Sequence, residues 1–466
     1  MADAAEQDNI ILTGFMGSGK TTVGRALAAR LGRPFVDTDE IIVARAGRAI
    51  ADIFREEGEA RFRAWEAAVA GELAAQRGLV IATGGRLMLD PDNAAELGRT
   101  GPVFCLNAAP EEILARVAAE ETKRPLLDVP DAGRRVQSLL QQRAPAYARF
   151  RAVVTDGKTA AQVAAEIAAA IAGGLRDVLP LRHPTGSYEV VVGEKLLAEA
   201  LAIAGIAGPV AVITDSEVGP LHAQNPSISE KPGFHTVLTI PAGERHKTLD
   251  TVRALYDGLL AAGLDRKGTV VALGGGVVGD VAGFVAATYL RGVDFVLCPT
   301  SLLAMVDASI GGKTGVDLPQ GKNLVGAFKQ PRAVIADIDT LATLPAAEFT
   351  AGLAEVAKHG LIADPVLWQR LMMEEWHFDP RQLASDRLLR ADIQSLLVRA
   401  IGVKRDVVEE DPFEAGRRAV LNLGHTFAHA VEQVSGYAVR HGDAVAMGLV
   451  AAAKLSAALE ECSPSL

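Results

Sequence analysis

A glycine-rich turn between an apolar run and a helix-like run most strongly constrains the fold of this chain. Residues 9–14 form a short apolar run, and the turn that follows is Gly14-Phe-Met-Gly17-Ser18-Gly19-Lys20-Thr21. A helix-like run then extends from Lys20 to Leu31. The turn fits G-x-x-x-x-G-K-[S/T], in which backbone N–H groups surround phosphates, the lysine reaches the β- and γ-phosphates and the hydroxyl binds Mg²⁺. In this context the motif predicts an α/β domain with a phosphate-binding loop.

The chain has 466 residues, too many for one hydrophobic core, so we expect two or three domains. Strand-like runs at 79–83 and 102–106 alternate with helix-like runs at 110–121 and 160–172. Such alternation favours a parallel sheet covered by helices, so residues 1–175 are interpreted as a three-layer P-loop domain. Gly and Pro are frequent at 176–187, which we interpret as a linker.

Strand-like runs resume beyond this linker and then stop near residue 340. They lie at 188–192, 209–214, 236–240, 269–273, 294–298 and 333–337. The rest of the chain has helix-like patterns only. The sequence therefore predicts a second α/β domain at 188–340 and an all-helical domain at 341–466.

The composition excludes several classes of function. A formal net charge of −10 argues against a general nucleic-acid binder, which would need a basic face. Cys105, Cys298 and Cys462 lack metal-ligand spacing, and so few cysteines are typical of a reducing compartment. The chain begins with a polar, acidic segment unlike a signal peptide, and no apolar run is long enough to span a membrane. We expect a cytoplasmic protein that binds neither nucleic acid nor membrane.

Two acids follow the strand-like run of the next segment, Val36-Asp37-Thr38-Asp39. One could hold Mg²⁺ through water, and the other could accept a hydrogen bond from a substrate hydroxyl. Taken alone, an aspartate such as Asp39 is more often a helix N-cap than a functional residue. Arg63 alone could be a solvated helix residue.

Six motifs in this order resemble shikimate kinase over residues 9–172. After the phosphate loop and Asp-Thr-Asp come Ala51-Asp-Ile-Phe54, Thr83-Gly84-Gly85, Lys123-Arg124-Pro125-Leu126 and Arg143-Ala-Pro-Ala-Tyr147. The resemblance implies that ATP with Mg²⁺ is bound by Gly17, Ser18, Gly19, Lys20, Thr21 and Thr22, with Thr21 on the metal. It implies that shikimate is held by Asp39, Arg63, Gly85 and Arg143. Lys20, Asp39 as the base and Arg124 on a lid would be the catalytic set.

One position departs from the family pattern. The substrate loop of this family usually has three glycines, and here the third position is Arg86. If Arg86 must adopt a positive φ or points inward, substrate binding would weaken. If only the second glycine matters, the site would keep its function, and both outcomes are open.

In the second half, Val270-Val-Ala-Leu-Gly274-Gly275-Gly276-Val277-Val278-Gly279-Asp280 is a strand that leads into a glycine-rich turn and a helix. Such a turn can bind a diphosphate, and Asp215 at the end of another strand can bind a ribose hydroxyl. Lys313 and Lys322 are nine residues apart and flanked by glycine, which suggests a loop wrapped around an anion.

Metal-ligand candidates lie in the predicted helical domain. Glu355, His425, His429 and His441 are close in sequence, in a chain with only nine histidines. His425 and His429 fall on one helix face, as in two-histidine metal sites. The spacing leaves open which two histidines bind the metal.

Residues 188–466 resemble 3-dehydroquinate synthase. The matching stretches are Gly274–Asp280, Tyr289-Leu-Arg291-Gly, Pro299-Thr300-Ser301, Gly311-Gly-Lys313-Thr-Gly, Gly321-Lys322-Asn323, Ala354-Glu355-Val-Ala-Lys358, Asn422-Leu-Gly-His425-Thr-Phe-Ala-His429 and His441-Gly-Asp-Ala-Val. The resemblance implies a Rossmann-like NAD-binding domain followed by a helical metal- and substrate-binding domain. Its divalent ion, Zn²⁺ or Co²⁺, would be bound by Glu355, His425 and His441.

The same resemblance assigns the remaining residues. NAD⁺ would contact Asp215, Glu244, Lys247, Gly275, Gly276, Val277, Val278, Gly279, Asp280, Thr300, Ser301, Asp307, Lys313, Lys322, Thr340 and Thr343. The substrate, 3-deoxy-arabino-heptulosonate 7-phosphate, would meet Arg291, Asn323, Arg418 and Asn422. Catalytic roles would fall to Lys313, Lys358, Lys404 and His429. In the family, NAD⁺ oxidises one carbinol, phosphate leaves by elimination, the ketone is reduced again, and an aldol step closes the ring.

The family's helical domain usually continues about 70 residues beyond the His441 region, so we expect this domain to be C-terminally incomplete. A homodimer through the synthase half is also expected. Two alternatives stay open. The chain could join another P-loop kinase to a polyol dehydrogenase that releases NADH, or the second half could be an inactive module that stabilises the kinase.

Overall fold

The computed structural model describes residues 7–119, 131–223, 234–373, 379–436, 438–459 and 461–462. The chain divides into two compact units. The first is Met1–Leu175 with Ser385–Ser395, and the second is Arg176–Ala384 with Leu396–Leu466. The segment 385–395, which the sequence pattern placed in the helical domain, therefore belongs to the first unit.

The first unit contains a five-stranded sheet within the described residues, in the order β2-β3-β1-β4-β5. Its strands are β1 (Ile10–Gly14), β2 (Phe35–Asp37), β3 (Val80–Ala82), β4 (Val103–Asn107) and β5 (Arg151–Val154). All recorded pairings are parallel. The helices are α1 (Lys20–Leu31), α2 (Thr38–Ala46), α3 (Ile50–Ala74), α4 (Pro91–Gly98), α5 (Pro110–Ala119), α6 (Ala132–Tyr147) and α7 (Ala160–Ala172). The parallel sheet predicted from the alternation is present.

Glycines let the first helix start sharply and pack closely. The backbone of Gly19 has φ 93° where α1 begins, and that of Gly32 has φ 65° where it ends. A Cβ on Gly24 would lie 2.4 Å from the ring of Phe35, so α1 can approach β2 only with glycine there. The next long helix, α3, is interrupted at Gly58, whose φ is 82°. This break changes the direction of the helix just before Arg63.

The second unit is built on a seven-stranded sheet, counted over the described residues, in the order β6-β7-β14-β11-β10-β8-β9. The strands of this unit are β6 (Asp177–His183), β7 (Gly186–Gly193), β8 (Val210–Asp215), β9 (Phe234–Ile240), β10 (Thr269–Gly274), β11 (Asp294–Pro299), β12 (Lys313–Leu318), β13 (Gly321–Phe328) and β14 (Ala333–Asp337). The helices before the helical part are α8 (Ala200–Ile203), α9 (Leu249–Ala261) and α10 (Gly276–Thr288). The strands of the central sheet are parallel except for the β6–β7 pair.

The segment 176–187 is not a linker. Most of it forms β6, which pairs antiparallel with β7, and β7 itself begins at Gly186. Leu179 and Leu181 are buried, whereas Val178, Pro180 and Arg182 face outward, as in a strand with one face on the core. Pro180 is compatible with this strand because β6 lies at the edge of the sheet, where one missing N–H is tolerated. The glycines and prolines of the segment 176–187 led to its interpretation as a linker.

The region around Lys313 and Lys322 is also different from the prediction. It is an antiparallel hairpin of β12 and β13 and not a loop wrapped around an anion. Gly315 pairs with Gly326, and a Cβ on Gly315 would lie 2.7 Å from the carbonyl oxygen of Val325. The glycines therefore allow two strands to approach closely. Each lysine has an acidic partner, Glu414 for Lys313 and Glu432 for Lys322.

From Ala346 onward the described chain is helical. The helices are α11 (Ala346–Ala363), α12 (Pro365–Met372), α13 (Arg387–Glu410), α14 (His425–Val434) and α15 (His441–Ala458). Among the described residues, none of the helices has the length and apolar character needed to cross a membrane.

Candidate functional site

The phosphate loop of the first unit has the geometry that its motif predicts. Gly14, Gly17 and Gly19 have φ values of 133°, 75° and 93°, which only glycine adopts readily. The ammonium of Lys20 donates to the carbonyl oxygens of Gly14 (2.8 Å) and Phe15 (2.9 Å), so it lies across the loop. A Cβ on Gly14 would lie 2.4 Å from a backbone oxygen of β4. The loop is therefore a tight backbone cradle closed by one cation, as phosphate binding requires.

The two acids after β2 have different partners. Asp37 accepts a hydrogen bond from the hydroxyl of Thr21 at 2.7 Å and also caps α2 by accepting from the backbone N–H of Asp39. The N-cap is thus Asp37 and not Asp39. Hydroxyl and carboxylate oxygens suit Mg²⁺, so Thr21 and Asp37 could hold that ion. Asp39 lies in the first turn of α2, close to Gly84.

Arg63 joins two acids that the sequence analysis did not single out. Its guanidinium pairs with Glu66, which is 1% exposed, and donates to Glu59 at 2.9 Å. Burial raises the pKa of Glu66, although Arg63 opposes the shift. Glu59 and Glu66 lie four residues before and three residues after Arg63 on α3, a helical spacing that could have revealed both.

Gly84 is the glycine of the substrate loop that has no room for a side chain. A Cβ on it would lie 2.7 Å from Oδ1 of Asp39 and 3.0 Å from Oε1 of Glu66. A Cβ on Gly85, in contrast, would lie 3.7 Å from the nearest neighbouring atoms, which is an ordinary contact distance. The carbonyl oxygen of Gly85 accepts a hydrogen bond from the hydroxyl of Tyr147, which holds the loop in place. Tyr147 stands in the same motif as Arg143 and had been given no role.

Arg86 causes no backbone strain. Its φ is −118°, an ordinary value, and its half-exposed side chain pairs with Glu59 at 2.8 Å. Glu59 Oε1 thus accepts from both Arg63 and Arg86. Arg143 lies with its guanidinium carbon 5.2 Å from the centre of the Phe15 ring, beside the phosphate loop.

Three further residues complete the description of this unit. Arg124, predicted to lie on a lid, falls outside the described residues. Arg116 on α5 was missed, although its guanidinium donates to the hydroxyl of Thr155 at 2.9 Å and lies 3.5 Å from the carbonyl oxygen of Gly17. It therefore adds a cation beside the phosphate loop. Thr22 is exposed on the first turn of α1.

The second unit has a cleft of about 1270 Å³ between its sheet and its helical part. Most of the residues predicted to bind NAD⁺ line it, namely Asp215, Glu244, Lys247, Gly275, Gly276, Val277, Asp280, Thr300, Ser301, Asp307, Lys313, Lys322 and Thr343. At one end the ammonium of Lys247 contacts Asp280 at 2.6 Å and donates to Asn323 at 2.5 Å. Burial would lower the pKa of Lys247, but Asp280 and Glu244 outweigh it and raise that pKa.

Four predicted residues do not line this cleft. Val278 and Gly279 are turned toward the sheet, where Val278 packs against Gly274 and Gly279 faces Leu297. Thr340 is buried and donates its hydroxyl to the backbone of Asp337. Arg291 lies in a turn where its own φ is 72°. These positions support the fold around the cleft and do not contact its interior.

The opposite end of the cleft is cationic. Its residues from the predicted substrate and catalytic sets are Lys313, Lys358, Lys404, Arg418, Asn422 and His429, whereas Asn323 lies at the Lys247 end. Asp307 organises two of them, because Lys404 contacts its carboxylate at 2.6 Å and Lys358 at 3.7 Å. Burial would raise the pKa of Asp307, but the two lysines hold it well below its usual range. Asp307 thus lies at the cationic end of the cleft.

Glu355, His425 and His441 converge at this end. Oε1 of Glu355 lies 3.6 Å from Nε2 of His425 and 3.7 Å from Nε2 of His441. These distances exceed those of hydrogen bonds. Two ligand atoms about 2.1 Å from a tetrahedral zinc lie about 3.4 Å apart, close to the separation of Glu355 from each histidine. All three ligand atoms lie within 4.8 Å of one another, so the three side chains could share one ion. Three protein ligands with a fourth position open are typical of catalytic sites.

The protonation states of two of the three ligands suit a cation. For the third, burial would lower the pKa of His441, but Glu355 and Glu432 raise it. Burial and Asp307 would raise the pKa of Glu355, but His441 and Lys358 lower it, so Glu355 is an ionised carboxylate. Burial lowers the pKa of His425 and favours its neutral, metal-binding form. His429, in contrast, is exposed, with its ring centre 5.5 Å from that of His425. The structure brings His425 and His441 to Glu355 and leaves His429 aside.

Glycines bring the three ligand helices together. A Cβ on Gly442 would lie 1.9 Å from the backbone oxygen of Ala351, so α15 touches α11 there. A Cβ on Gly448 would lie 2.1 Å from the backbone oxygen of Gly424, so α15 also touches the start of α14. His441 and Glu355 can therefore approach each other only because the helices meet at glycine.

Replacing Gly442 by Ala is expected to separate α15 from α11 and to weaken metal binding. Overpacking of this kind costs about 1–3 kcal/mol of stability. We expect Zn²⁺ affinity to fall by about tenfold or more, as measured by competition with a chelator. Gly402→Ala is the matched control, because nothing lies within 4 Å of a Cβ on that helical glycine. Equal Zn²⁺ affinity in the two variants would contradict the explanation.

Several polar residues of this cleft were missed by the sequence analysis. Glu414 pairs with Lys313, and Glu432 contacts both Lys322 and His441. His359 is fully buried near Asp307, and burial lowers its pKa to about 4. Glu432 could have been found, since it follows His425 by seven residues on the same helix face. The others carry no sequence signal because their partners are far away in the chain.

Comparisons with known proteins agree with this arrangement. The family model for shikimate kinase matches residues 16–172, and those for 3-dehydroquinate synthase N-terminal and C-terminal match residues 237–351 and 352–465. A 3-dehydroquinate synthase from Microcystis aeruginosa is 47% identical over 289 residues, which covers 60% of this chain and 77% of that protein.

Two solved structures resemble the second unit. One is 2-epi-5-epi-valiolone synthase from Streptomyces hygroscopicus with NAD⁺ and Zn²⁺ bound, at 28% identity and a TM-score of 0.54, covering 62% of this chain and 79% of that one. The other is 2-deoxy-scyllo-inosose synthase complexed with carbaglucose-6-phosphate, NAD⁺ and Co²⁺, at 28% identity and a TM-score of 0.52, covering 61% and 78%. With these matches, the chain belongs to the 3-dehydroquinate synthase family and carries a shikimate kinase domain ahead of it.

Proposed function

We propose that the chain catalyses two reactions of the shikimate pathway with two separate sites. The first unit would transfer phosphate from ATP to shikimate. The second would convert 3-deoxy-arabino-heptulosonate 7-phosphate to 3-dehydroquinate with release of phosphate. The observation that carries the second assignment is the convergence of Glu355, His425 and His441 at one end of a cleft whose other end has Asp215 and Asp280.

In the kinase site, the residues position charge around a transferred phosphate. The phosphate loop and Lys20 would hold the ATP phosphates, and Thr21 and Asp37 would hold Mg²⁺. Arg63 and Arg143 would bind the shikimate carboxylate, a task that suits the guanidinium fork. Asp39 is the acid nearest the substrate loop and would accept the proton of the attacking hydroxyl. Phosphoryl transfer needs little beyond this positioning.

In the synthase site, Lys313, Lys404, Arg418 and Asn422 would bind the phosphate and carboxylate of the substrate. Lys358 is fixed by Glu355 and Asp307, so its charge is held at the site even before the substrate arrives. Burial would lower the pKa of Lys358, but these two carboxylates outweigh it and raise that pKa. When bound, the divalent ion eases loss of a proton from a coordinated hydroxyl, and NAD⁺ supplies a hydride acceptor.

One set of assays on the purified chain tests both assignments. ADP formation from ATP and shikimate reports the kinase, and phosphate release from the heptulosonate phosphate with NAD⁺ and Zn²⁺ reports the synthase. The synthase proposal requires phosphate release without accumulation of NADH. NADH formation with a polyol would favour a dehydrogenase. Kinase activity without any phosphate release would favour an inactive second half that serves assembly.

The exposed ion pair of Arg86 with Glu59 supports a minor role for this arginine in kinase activity. Exposed ion pairs contribute about 0–1 kcal/mol, so Arg86→Gly is expected to change the KM for shikimate by less than about fivefold. Arg63→Ala removes charge-assisted hydrogen bonds worth about 1.5–3 kcal/mol and is expected to raise that KM roughly 10- to 150-fold. Steady-state kinetics at saturating ATP measures both. If Arg86→Gly raised KM as much as Arg63→Ala, Arg86 would have to contact the substrate.

A homodimer through the synthase half and a cytoplasmic location belong to the same proposal. Arg291 lies outside the cleft of its own chain, and a second copy is the simplest way for its guanidinium to reach a bound substrate. Sedimentation of the purified chain distinguishes a dimer from a monomer, and Arg291→Ala would then impair phosphate release without changing NAD⁺ affinity.

A further inference from the structure

A chain of alternating charges runs from the proposed nucleotide end of the cleft to the proposed metal ligands. The ammonium of Lys322 lies 3.8 Å from Glu244 and 3.0 Å from Oε1 of Glu432. The same Oε1 lies 3.4 Å from Nδ1 of His441, whose Nε2 faces Glu355 at 3.7 Å. One carboxylate oxygen thus serves both Lys322 and a metal ligand.

The centre of this chain is buried and therefore electrostatically effective. Glu432 is 2% exposed and Glu355 is fully buried, so water screens the contacts between them weakly. Lys322 lies on β13, Glu432 on α14 and His441 on α15, so three elements contribute. A histidine that binds a metal usually donates its other N–H to a carboxylate, which fixes the ring orientation. Glu432 stands in that position for His441.

We infer that Glu432 couples NAD⁺ binding to metal binding, with Lys322 as the residue that transmits the effect. A negatively charged dinucleotide at the Glu244 end would attract the ammonium of Lys322. Any shift of Lys322 would change its contact with the carboxylate of Glu432 and so the position of that carboxylate. Glu432 in turn positions His441 toward Glu355. Glu432 is therefore a positioning residue that acts through His441. The inference rests on the proposed nucleotide and metal roles of this cleft.

Thermodynamic linkage relates the effect of NAD⁺ on Zn²⁺ affinity to the effect of Zn²⁺ on NAD⁺ affinity. If NAD⁺ tightens Zn²⁺ binding by some factor, Zn²⁺ must tighten NAD⁺ binding by the same factor. Couplings of this kind are typically about 5- to 150-fold. We expect a factor of about tenfold in the wild-type chain, equal in both directions.

The experiment measures Zn²⁺ affinity of the metal-free full-length chain by chelator competition, with and without saturating NAD⁺. Lys322→Met breaks the chain on the nucleotide side, and Glu432→Gln removes the carboxylate charge through which Lys322 and His441 are linked. Both variants should bring the coupling factor close to one. Lys329→Met is the control, since it removes a lysine that follows the same hairpin but does not line the cleft, and it should keep the wild-type factor.

Two results would overturn the inference. One is a wild-type factor of one, and the other is an unchanged factor in both Lys322→Met and Glu432→Gln. Binding is measured without substrate, so a chain that shows the coupling but releases no phosphate would contradict the proposed reaction and not this inference. A chain that binds no NAD⁺ at all would overturn both.

Discussion

Replacing Glu355 by Gln is expected to lower phosphate release from the heptulosonate phosphate by about a thousandfold, while shikimate phosphorylation keeps its wild-type rate. The glutamine keeps the shape of the side chain but loses the charge that faces His425 and His441. It also leaves the buried ammonium of Lys358 with Asp307 as a carboxylate partner at 3.7 Å. Loss of one positioned electrostatic group alone costs about 10²–10³ in rate, and here ion binding is lost as well.

Glu348→Gln is the matched control for this variant. Glu348 lies on the same helix, two turns earlier, and its side chain is 50% exposed. It should lower neither phosphate release nor Zn²⁺ affinity. Zn²⁺ affinity should fall together with phosphate release only in Glu355→Gln. Phosphate release within about threefold of wild type in that variant would rule out Glu355 as a metal ligand.

Replacing Lys20 by Ala should have the opposite pattern, with kinase activity lost and phosphate release by the synthase unchanged. The ammonium of Lys20 is the cation that closes the phosphate loop, held by the backbone oxygens of Gly14 and Phe15. Without it the backbone N–H groups still surround the phosphates, but the charge that develops during transfer is no longer neutralised. We expect a fall in kcat of about 10³-fold, comparable with the loss of other phosphate-directed cations.

Arg30→Ala is a suitable comparison, since it removes an exposed cation from the last turn of the same helix. It should leave ADP formation within about twofold of wild type. The Lys20→Ala chain should also keep its thermal midpoint, because Lys20 is not one of the buried residues of α1. A parallel loss of synthase activity would mean that the two sites depend on one another.

Much of both sites could be predicted because their residues are close together in sequence. The phosphate loop contains its own glycines, lysine and threonine within eight residues, so its geometry follows from local conformation. The buried strands that carry Asp215 and Gly274 are continuous apolar runs, and Asp215 and the glycine-rich turn follow at their carboxyl ends. This local logic predicted the parallel sheets, whereas most of the cleft lining was predicted from the resemblance to 3-dehydroquinate synthase.

The features that the sequence did not predict depend on partners far away in the chain or on glycines that let two strands approach closely. Glu414 and Glu432 acquire their roles from Lys313 and Lys322, which are about 100 residues away in the chain. The β12–β13 hairpin was interpreted as a loop because its glycines weaken the strand pattern. Those glycines are present so that Gly315 and Gly326 can face each other across the pair. Sequence periodicity carries no information about such close approach.

The hairpin of β6 and β7 has a consequence for synthesis of the protein. It is the first part of the second unit to leave the ribosome, yet the other neighbour of β7 in the sheet is β14. β14 begins about 140 residues later. At translation rates of ~5–20 residues per second, the free edge of β7 waits roughly ten to thirty seconds for its partner. During that time the apolar edge of β7 is exposed, and it is the edge at which a nascent chain of this protein is most open to mispairing. Pro180 lies on β6, so it prevents the addition of a strand only on the other side of the hairpin.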